Sequence, residues 1–285
     1  MFSYDESTLR SADGTKLFCR RWEPEEPKAV LVLVHGVGEH SGRYIHVGER
    51  FVESGYACYG YDYRGHGQAE GERGDVQKYG EYLDDLAAVI ESARGDHPGS
   101  KLFTVGHSQG GTIVLAHALD HPEEVDGVIA SAPGLGVHFG DLPAWKVWLA
   151  KVAPRLEPLV PGLAVGNGIV PEYLSHDPAV AEAYASDPLV HDRAILRWFV
   201  EYLRTHQRLL AGAARFRVPC LILQGTDDHL APLEKTKEFY AHLTLADRQL
   251  KLYDGLYHEV FNEVEKERVF EDVEQWLAPR VQGQV

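Results

Sequence analysis

One serine in this sequence stands where a strand would turn sharply into a helix. Ser108 is the central residue of the G-x-S-x-G pattern in GHSQGG (106–111), which follows the apolar run KLFTV and precedes the helix-like TIVLAHALDHP. Such a turn exposes the serine hydroxyl, and its glycines relieve crowding at strained backbone angles. This context favours a catalytic nucleophile over the alternative, a glycine-rich turn with an uninvolved serine.

A nucleophilic serine needs a base to remove its proton and a carboxylate to orient that base. With a nucleophile on a strand-to-helix turn, the acid and the histidine follow in chain order, on loops after later strands. LILQGTDDHLAP carries Asp227 and Asp228 after one such strand, and LYDGLYHEVFNE carries His258 after the next. Because successive side chains alternate in direction, only one of the two aspartates can face the imidazole.

The negative charge that develops on a carbonyl oxygen needs fixed N–H donors. HGVGEHSGRY follows an apolar run, and its Gly36 and Gly38 let the backbone curl so that the Val37 N–H points into the site. The residue after the nucleophile, Gln109, supplies the second N–H. The alternative for this loop is an ordinary strand-to-helix turn.

Strand-like apolar runs alternate with helix-length segments through most of the chain. STLR and KLFCRRW around SADG predict an opening hairpin. Further strands are predicted at 29–35, 57–63, 101–107, 127–133, 219–225 and 249–255. Near-continuous apolar strands that alternate with helices indicate an α/β fold, with a mostly parallel sheet flanked by helices.

One interval interrupts this alternation. Between residues 133 and 219 lie roughly 85 residues, too many for a simple crossover between strands. We therefore predict an inserted helical cap at 135–215, between a first core part at 1–134 and a second core part at 216–285. The cap should form a lid over the sheet.

Composition restricts the partners. The net charge of −15, from 43 acidic and 28 basic residues, argues against nucleic acid and against general adhesion to anionic lipid.

The three cysteines lie in apolar surroundings and are predicted to be buried free thiols. Neither a secretion signal nor an apolar run of about 18 residues is found, so we expect a cytoplasmic protein. No metal-binding spacing occurs, and neither a metal nor a cofactor is implied.

The motifs resemble those of the monoacylglycerol lipase and lysophospholipase branch of the α/β-hydrolases. The similarity covers about residues 5–280 and is carried by HGVGEHSGRY, DYRGHG, GHSQGG, SHDPAVAEAYASDPLV and YHEVFNE. It implies an α/β-hydrolase fold with a cap, a triad of Ser108, Asp228 and His258, and oxyanion donors at Val37 and Gln109. The family pattern G-T-x-D selects Asp228 over Asp227. Head-group contacts are implied for Glu39, Arg43 and Phe261. Gln109 stands where Met is usual, and Phe261 stands where at least one relative has a polar residue.

The function that this resemblance implies is a serine ester hydrolase. It would cleave monoacylglycerols or similar single-chain lipid esters to a fatty acid and an alcohol through an acyl-enzyme. The first alternative is a broad carboxylesterase or lysophospholipase with the same machinery. The second, a hydrolase-like binding protein without catalysis, is disfavoured because every required side chain is present.

A segment of the predicted cap, DLPAWKVWLAKVAPRLEP, combines helix signals with local positive charge. Asp141 and Pro143 suit a helix start, and Pro154 is expected to end the helix. At helical spacing, an apolar stripe is formed by Trp145, Trp148, Leu149 and Val152, with Lys146, Lys151 and Arg155 nearby. We predict that the two tryptophans border the acyl-chain entrance and touch lipid aggregates or a membrane surface transiently. The alternative is that the stripe packs on the sheet domain as core.

Overall fold

The computed structural model describes residues 1–137, 144–164 and 166–281; between 144 and 150 it describes the backbone and the side chain of Trp148. An eight-stranded sheet forms the centre, with strands β1 (Phe2–Arg10), β2 (Lys16–Pro24), β3 (Val30–Val34), β4 (Ala57–Asp62), β5 (Leu102–His107), β6 (Gly127–Ser131), β7 (Cys220–Gly225) and β8 (Arg248–Tyr253). Their order across the sheet is β1-β2-β4-β3-β5-β6-β7-β8. Only the pairs β1/β2 and β2/β4 are antiparallel. The predicted hairpin and mostly parallel sheet are therefore confirmed.

Helices flank the sheet on both faces. The described residues include α1 (Ile45–Glu53), α2 (Gly80–Asp96), α3 (Gln109–Asp120), α4 (Ala144–Leu156), α5 (Pro178–Ser186), α6 (Leu196–Gly212), α7 (Leu233–His242) and α8 (Lys266–Val281). Short 3-10 helices lie at Ser41–Tyr44, Pro171–Tyr173, Ala213–Arg215 and Val260–Asn262.

The apolar residues of β3 divide between two cores because successive side chains of a strand point to opposite faces. Val30, Val32 and Val34 pack in the core that includes buried residues of α2, α3, α6 and α7. Leu31 and Leu33 pack in the core with α1 and α8. Each such buried side chain stabilises the fold by about 2 kcal/mol relative to an exposed one. The central strands therefore form a firm platform for the loops at their ends.

Six parallel strands, β3 to β8, end at the same edge of the sheet, where ligands of open α/β sheets usually bind. Val34, the last residue of β3, pairs with Gly106 of β5, so the loop after β3 begins beside the turn that carries Ser108. β7 and β8 end at the same edge, and their following loops carry Asp228 and His258. The topology thus gathers residues that are distant in sequence.

The segment between β6 and β7 contains α4, α5 and α6 and contacts the loops at this edge. The backbone N–H of His191 donates to the carbonyl of Gly38 over 2.8 Å. The backbone N–H of Glu259, next to His258, donates to the carbonyl of Leu174, also over 2.8 Å. The inserted residues therefore bind both the loop after β3 and the loop after β8.

Helix α4 extends beyond Pro154 to Leu156, so the prediction that Pro154 ends the helix is wrong. A proline lacks an N–H and disturbs the preceding turn, but the helix continues for two more residues and Glu157 still donates to the Ala153 carbonyl over 2.9 Å. Ala153 is buried against Leu196 of α6. The predicted helix start at Asp141 and Pro143 lies outside the described residues.

Two further expectations concern the whole chain. Cys19, Cys58 and Cys220 are buried and form no disulfide, as predicted. Within the part of the chain that the structure describes, every helix is too short or too polar to cross a bilayer.

Candidate active site

Ser108 lies on a strained turn between β5 and α3. Its backbone angles are φ 52° and ψ −115°, a conformation that residues other than glycine rarely adopt. The N–H of Ser108 donates to the carbonyl of Ser131 over 2.9 Å, which ties the turn to β6. A Cβ at Gly106 would lie 2.2 Å from the Gly110 carbonyl oxygen, so this close approach requires a glycine. The sequence-predicted elbow is present, and Ser108 itself is partly exposed.

His258 and Asp228 form a close pair. The Nδ1 of His258 lies 3.0 Å from both carboxylate oxygens of Asp228. Because an ionised carboxylate can only accept, Nδ1 carries a proton, and in the neutral ring Nε2 has a free lone pair. The neighbouring aspartate, Asp227, is exposed. Packing thus resolves the choice between the two aspartates that the alternation of side chains alone left open.

Other donors hold the Asp228 carboxylate in place. The backbone N–H groups of Leu230 and Ala231 donate to its Oδ1, each over 2.9 Å, and the Gln224 amide donates to its Oδ2 over 3.0 Å. Burial alone would raise the pKa of Asp228, but the positive charge and hydrogen bond of His258, together with these N–H groups, lower it. Asp228 is therefore ionised and fixed in direction.

The same pairing raises the pKa of His258, whereas it lowers that of Asp228. Burial alone would lower the pKa of His258, but the charge of Asp228 and its hydrogen bond outweigh burial and raise this pKa above 6.5. Asp228 therefore stabilises the protonated imidazole, the state that a base reaches after it takes a proton.

His107 connects this pair to the elbow, and sequence reasoning did not identify it. Its ring meets the ring of His258 edge to face, with 4.6 Å between the ring centroids. Burial lowers the pKa of His107 to about 3, and Nδ1 lies 3.3 Å from the hydroxyl oxygen of Ser131. The only signal in the sequence was its position before Ser108. This neutral ring packs His258 against the turn that carries the nucleophile.

The predicted oxyanion donors lie on two sides of Ser108. A Cβ built on Gly36 would be 3.3 Å from the Cβ of Ser108, so the loop after β3 passes close to the nucleophile. Val37 follows in this loop, and Gly38 has a φ of 74° that favours glycine. Gln109 is the first residue of α3, and N–H groups in the first turn of a helix have no partner within the helix. Both predicted donors therefore belong to backbone beside Ser108.

Glu39 and Arg43, predicted to contact a head group, form a buried network with Glu259. The Arg43 guanidinium donates to both Glu259 oxygens, over 2.6 and 2.8 Å, and also to Glu39. Tyr44 donates to Glu39 over 2.8 Å. Burial and the charge of Glu259 raise the pKa of Glu39, whereas Arg43 keeps Glu259 ionised. Sequence reasoning missed Glu259, which completes the pairing of Arg43.

Phe261 lies in the core. Its side chain is only 3% exposed and packs against Phe270 of α8, with 5.5 Å between the ring centroids. An apolar ring one turn after His258 gains more from this burial than from contact with a polar head group. Contact between Phe261 and a substrate stays a prediction.

The two tryptophans of the predicted apolar stripe are described differently. The side chain of Trp145 lies outside the described residues. Trp148 is 62% exposed, so its ring is not part of the core. Lys151 and Arg155 are exposed on the same helix, whereas Ala153 faces α6.

One group of metal-ligating side chains occurs among the described residues. His121, Glu123 and Glu124 have ligand atoms within 4.8 Å of one another. They follow the far end of α3, about 18 Å from Ser108 along a helix of 12 residues. Two of the three are exposed, and surface carboxylates commonly cluster without a metal, so we assign no ion here.

Comparisons with known proteins identify the family of this chain. Residues 25–265 match the family described as "Serine aminopeptidase, S33". The chain is 35% identical to the monoacylglycerol lipase of Mycolicibacterium smegmatis over 274 residues, which are 95% of this chain and 96% of that relative. It is 33% identical to the monoglyceride lipase of Homo sapiens over 279 residues, 95% of this chain and 90% of the human protein.

A solved structure is similar over nearly its full length. The crystal structure of the Paleococcus ferrophilus monoacylglycerol lipase superposes with a TM-score of 0.82 at 34% identity, covering 93% of this chain and 99% of that chain. These findings confirm the resemblance and the fold class predicted from the sequence. The chain belongs to the serine aminopeptidase (S33) family and is a serine hydrolase with the α/β-hydrolase fold.

Proposed function

We propose that this protein hydrolyses monoacylglycerols, with Ser108, Asp228 and His258 as its catalytic triad. The observation that carries the proposal is the pairing of His258 Nδ1 with both oxygens of Asp228, together with the contact of the His258 ring with His107, the residue before Ser108 on its strained turn. The substrate class is supported by the monoacylglycerol lipases among the relatives.

In the acylation step, the Ser108 hydroxyl oxygen attacks the ester carbonyl carbon while Nε2 of His258 takes the hydroxyl proton. The tetrahedral intermediate then collapses: the bond to the glycerol oxygen breaks, and His258 returns the proton to that oxygen. Asp228 stabilises the imidazolium between these two transfers, which agrees with the raised pKa of His258. Glycerol leaves, and the acyl group remains on Ser108.

Deacylation repeats these steps with water. His258 takes one proton from the attacking water, and the proton then passes to Ser108 as the acyl bond breaks and the fatty acid departs. In both steps the backbone N–H groups of Val37 and Gln109 stabilise the negative carbonyl oxygen. Apart from the substrate and water, every group in this mechanism belongs to the chain.

Contact of the glycerol head group with Glu39 and Arg43 stays part of the proposal. Glu39 lies in the loop after β3, where its carboxylate approaches Gly36 beside Ser108, and Arg43 lies in the 3-10 helix that follows. Because Arg43 already donates hydrogen bonds to both Glu39 and Glu259, a glycerol hydroxyl would join an existing polar network. A neutral polyol suits that network better than a charged head group, whose charge would have to be desolvated there.

We also propose that residues 135–215 act as a cap that touches lipid aggregates or a membrane surface transiently. Exposed apolar side chains concentrate in this segment and form what we term the apolar cap surface: Trp148, Leu159, Val160, Leu163 and Val170. Exposed apolar groups accompanied by Lys151 and Arg155 are suited to the boundary between water and lipid. A cytoplasmic location is a further part of the proposal, supported by three free cysteines.

The test of the triad is labelling with a fluorophosphonate, which reacts with activated serines. Wild-type protein should be labelled, and Ser108→Ala should abolish both labelling and ester hydrolysis. Ser186→Ala is the matched control, because this serine is exposed on α5 and bonds only to backbone of its own helix in the described contacts. Full labelling of Ser108→Ala would overturn the proposal.

A substrate panel tests the head group. Monooleoylglycerol, lysophosphatidylcholine, a short nitrophenyl ester and an aminoacyl nitroanilide should be compared by kcat/KM. Monooleoylglycerol is expected to lead among the long-chain esters. Higher turnover of the lysophospholipid or of the nitroanilide would indicate a lysophospholipase or an aminopeptidase instead, with the same triad.

A further inference from the structure

The carbonyl oxygen of Gly36 is held by two donors behind the predicted oxyanion site. The hydroxyl of Tyr63 donates to it over 2.6 Å, and Nδ1 of His35 lies 2.8 Å from it. A carbonyl can only accept, so His35 carries its proton on Nδ1. Burial lowers the pKa of His35 to about 3, so the ring is neutral near pH 7. Its ring stacks on that of Tyr63, with 4.0 Å between centroids.

These bonds set the direction of the Val37 N–H. The carbonyl of Gly36 and the N–H of Val37 belong to the same peptide unit, which is planar and trans. The two groups therefore point in opposite directions. When Tyr63 and His35 hold the carbonyl on one side, the N–H of Val37 faces the other side.

The side chain of Gln109 continues this chain of hydrogen bonds. Its amide nitrogen donates to the Tyr63 hydroxyl oxygen over 3.3 Å, and its amide oxygen accepts from the indole N–H of Trp198 over 3.0 Å. An indole N–H can only donate, which fixes the orientation of the amide. The Tyr63 oxygen thus accepts from Gln109 and gives its own proton to Gly36. All four groups of this line are buried, so water does not compete for the bonds.

One buried chain of hydrogen bonds therefore joins both predicted oxyanion donors to the inserted segment. It runs from Trp198 on α6 to the Gln109 side chain, then to Tyr63 and the carbonyl of Gly36. The backbone N–H of Gln109 is one predicted oxyanion donor. The other is the Val37 N–H, which shares a peptide unit with the Gly36 carbonyl. A methionine, usual at position 109 in the resembling family, offers neither bond. The line is thus a property of the residues in this chain.

We propose that Tyr63 and the Gln109 side chain are positioning residues that orient the oxyanion hole and couple it to α6 through Trp198. This inference rests on the proposed function of the same site. Neither side chain needs to touch the substrate. Their effect would be on the transition state, because the donors are needed most when the carbonyl oxygen becomes negative.

The first experiment is Tyr63→Phe, which removes one hydroxyl and keeps the ring. With a soluble short-chain nitrophenyl ester, kcat should fall about tenfold to a hundredfold, while KM changes by less than about threefold. Tyr61→Phe is the matched control: Tyr61 is buried on β4, two residues before Tyr63, and its hydroxyl has no hydrogen-bond partner among the described residues. That variant should keep wild-type kcat.

A trifluoromethyl ketone separates positioning from a general structural effect. The Ser108 oxygen adds to its carbonyl carbon, His258 takes the proton, and the resulting oxyanion occupies the hole. Its inhibition constant should rise for Tyr63→Phe by the same factor as kcat falls, because both report on the oxyanion. Unchanged kcat, or a loss of kcat without weaker inhibition, would overturn the inference.

Trp198→Phe tests the coupling to α6. It removes the indole N–H and should lower kcat on the same soluble ester about threefold to tenfold. Its effect should be smaller when Tyr63→Phe is already present, because both variants interrupt one line. Fully additive effects would contradict the coupling. A wild-type protein that resists fluorophosphonate and hydrolyses no ester would instead contradict the proposed function itself.

Discussion

The Nδ1 of His258 lies 3.0 Å from each carboxylate oxygen of Asp228, whereas Asp227, its neighbour in sequence, is exposed. The two aspartates occupy adjacent positions on one loop, and of the two it is the Asp228 carboxylate that points toward His258. This difference provides a matched pair of substitutions.

Asp228→Asn should lower kcat by about 10³- to 10⁴-fold, because the asparagine amide favours the wrong imidazole tautomer and cannot stabilise the protonated ring. Asp227→Asn should change kcat less than about threefold. Steady-state kinetics with a short nitrophenyl ester measures both, and melting temperatures show whether each variant is folded. A greater loss in Asp227→Asn would reverse the assignment.

The pH dependence of hydrolysis follows from the same pair. His258 must be neutral to take the serine proton, and Asp228 raises its pKa above 6.5. The kcat/KM of the wild-type protein should therefore fall as the pH decreases, with its acidic midpoint above 6.5. The residual activity of Asp228→Asn should show a lower midpoint, since the stabilising charge is lost. A wild-type midpoint well below 6.5 would contradict this account of the base.

Trp148 should matter for aggregated substrates only. Trp148→Ala removes an exposed aromatic ring from the apolar cap surface, so hydrolysis of dispersed monooleoylglycerol should fall several-fold. Turnover of a soluble short ester and the melting temperature should stay unchanged, because the ring is not core. Phe2→Ala, an exposed aromatic on the edge strand β1, is the control and should leave both activities intact. Equal loss on both substrates would show that Trp148 has another role.

A buried histidine outside the triad should make the protein less stable in acid. Burial lowers the pKa of His206 on α6 to about 3, so the unfolded chain takes up a proton there at a higher pH than the folded chain does. Stability therefore falls as the pH decreases below the ordinary histidine value, by about 2 kcal/mol for this group at about pH 5.

His206→Leu removes this titration. Relative to wild type, the variant should gain about 2 kcal/mol when urea unfolding at about pH 5 is compared with about pH 7.5. Comparing two pH values cancels the effect of the substitution on packing. The same stability difference at both values would show that His206 does not contribute to the acid response.

Local features of the sequence predicted the sheet and the elbow. The strand and turn around Ser108 are indicated by apolar runs and glycines that are close in sequence. Such local patterns can be recognised without knowledge of the fold. The apolar runs of β3 and β5 likewise identified buried parallel strands. The predicted helix end at Pro154 is wrong because a proline only usually marks a helix end, and here α4 continues to Leu156.

Tertiary structure decided which distant groups meet. The family pattern had selected Asp228 over Asp227, but the contact of its carboxylate with His258 depends on packing, and only packing buried the ring of Phe261 in the core. The bond between Gln109 and Trp198 joins residues 89 positions apart, and no periodicity in the sequence signals such a contact. Residues that share a motif are positioned by local backbone geometry, whereas contacts between remote loops depend on how the sheet brings the ends of its strands together.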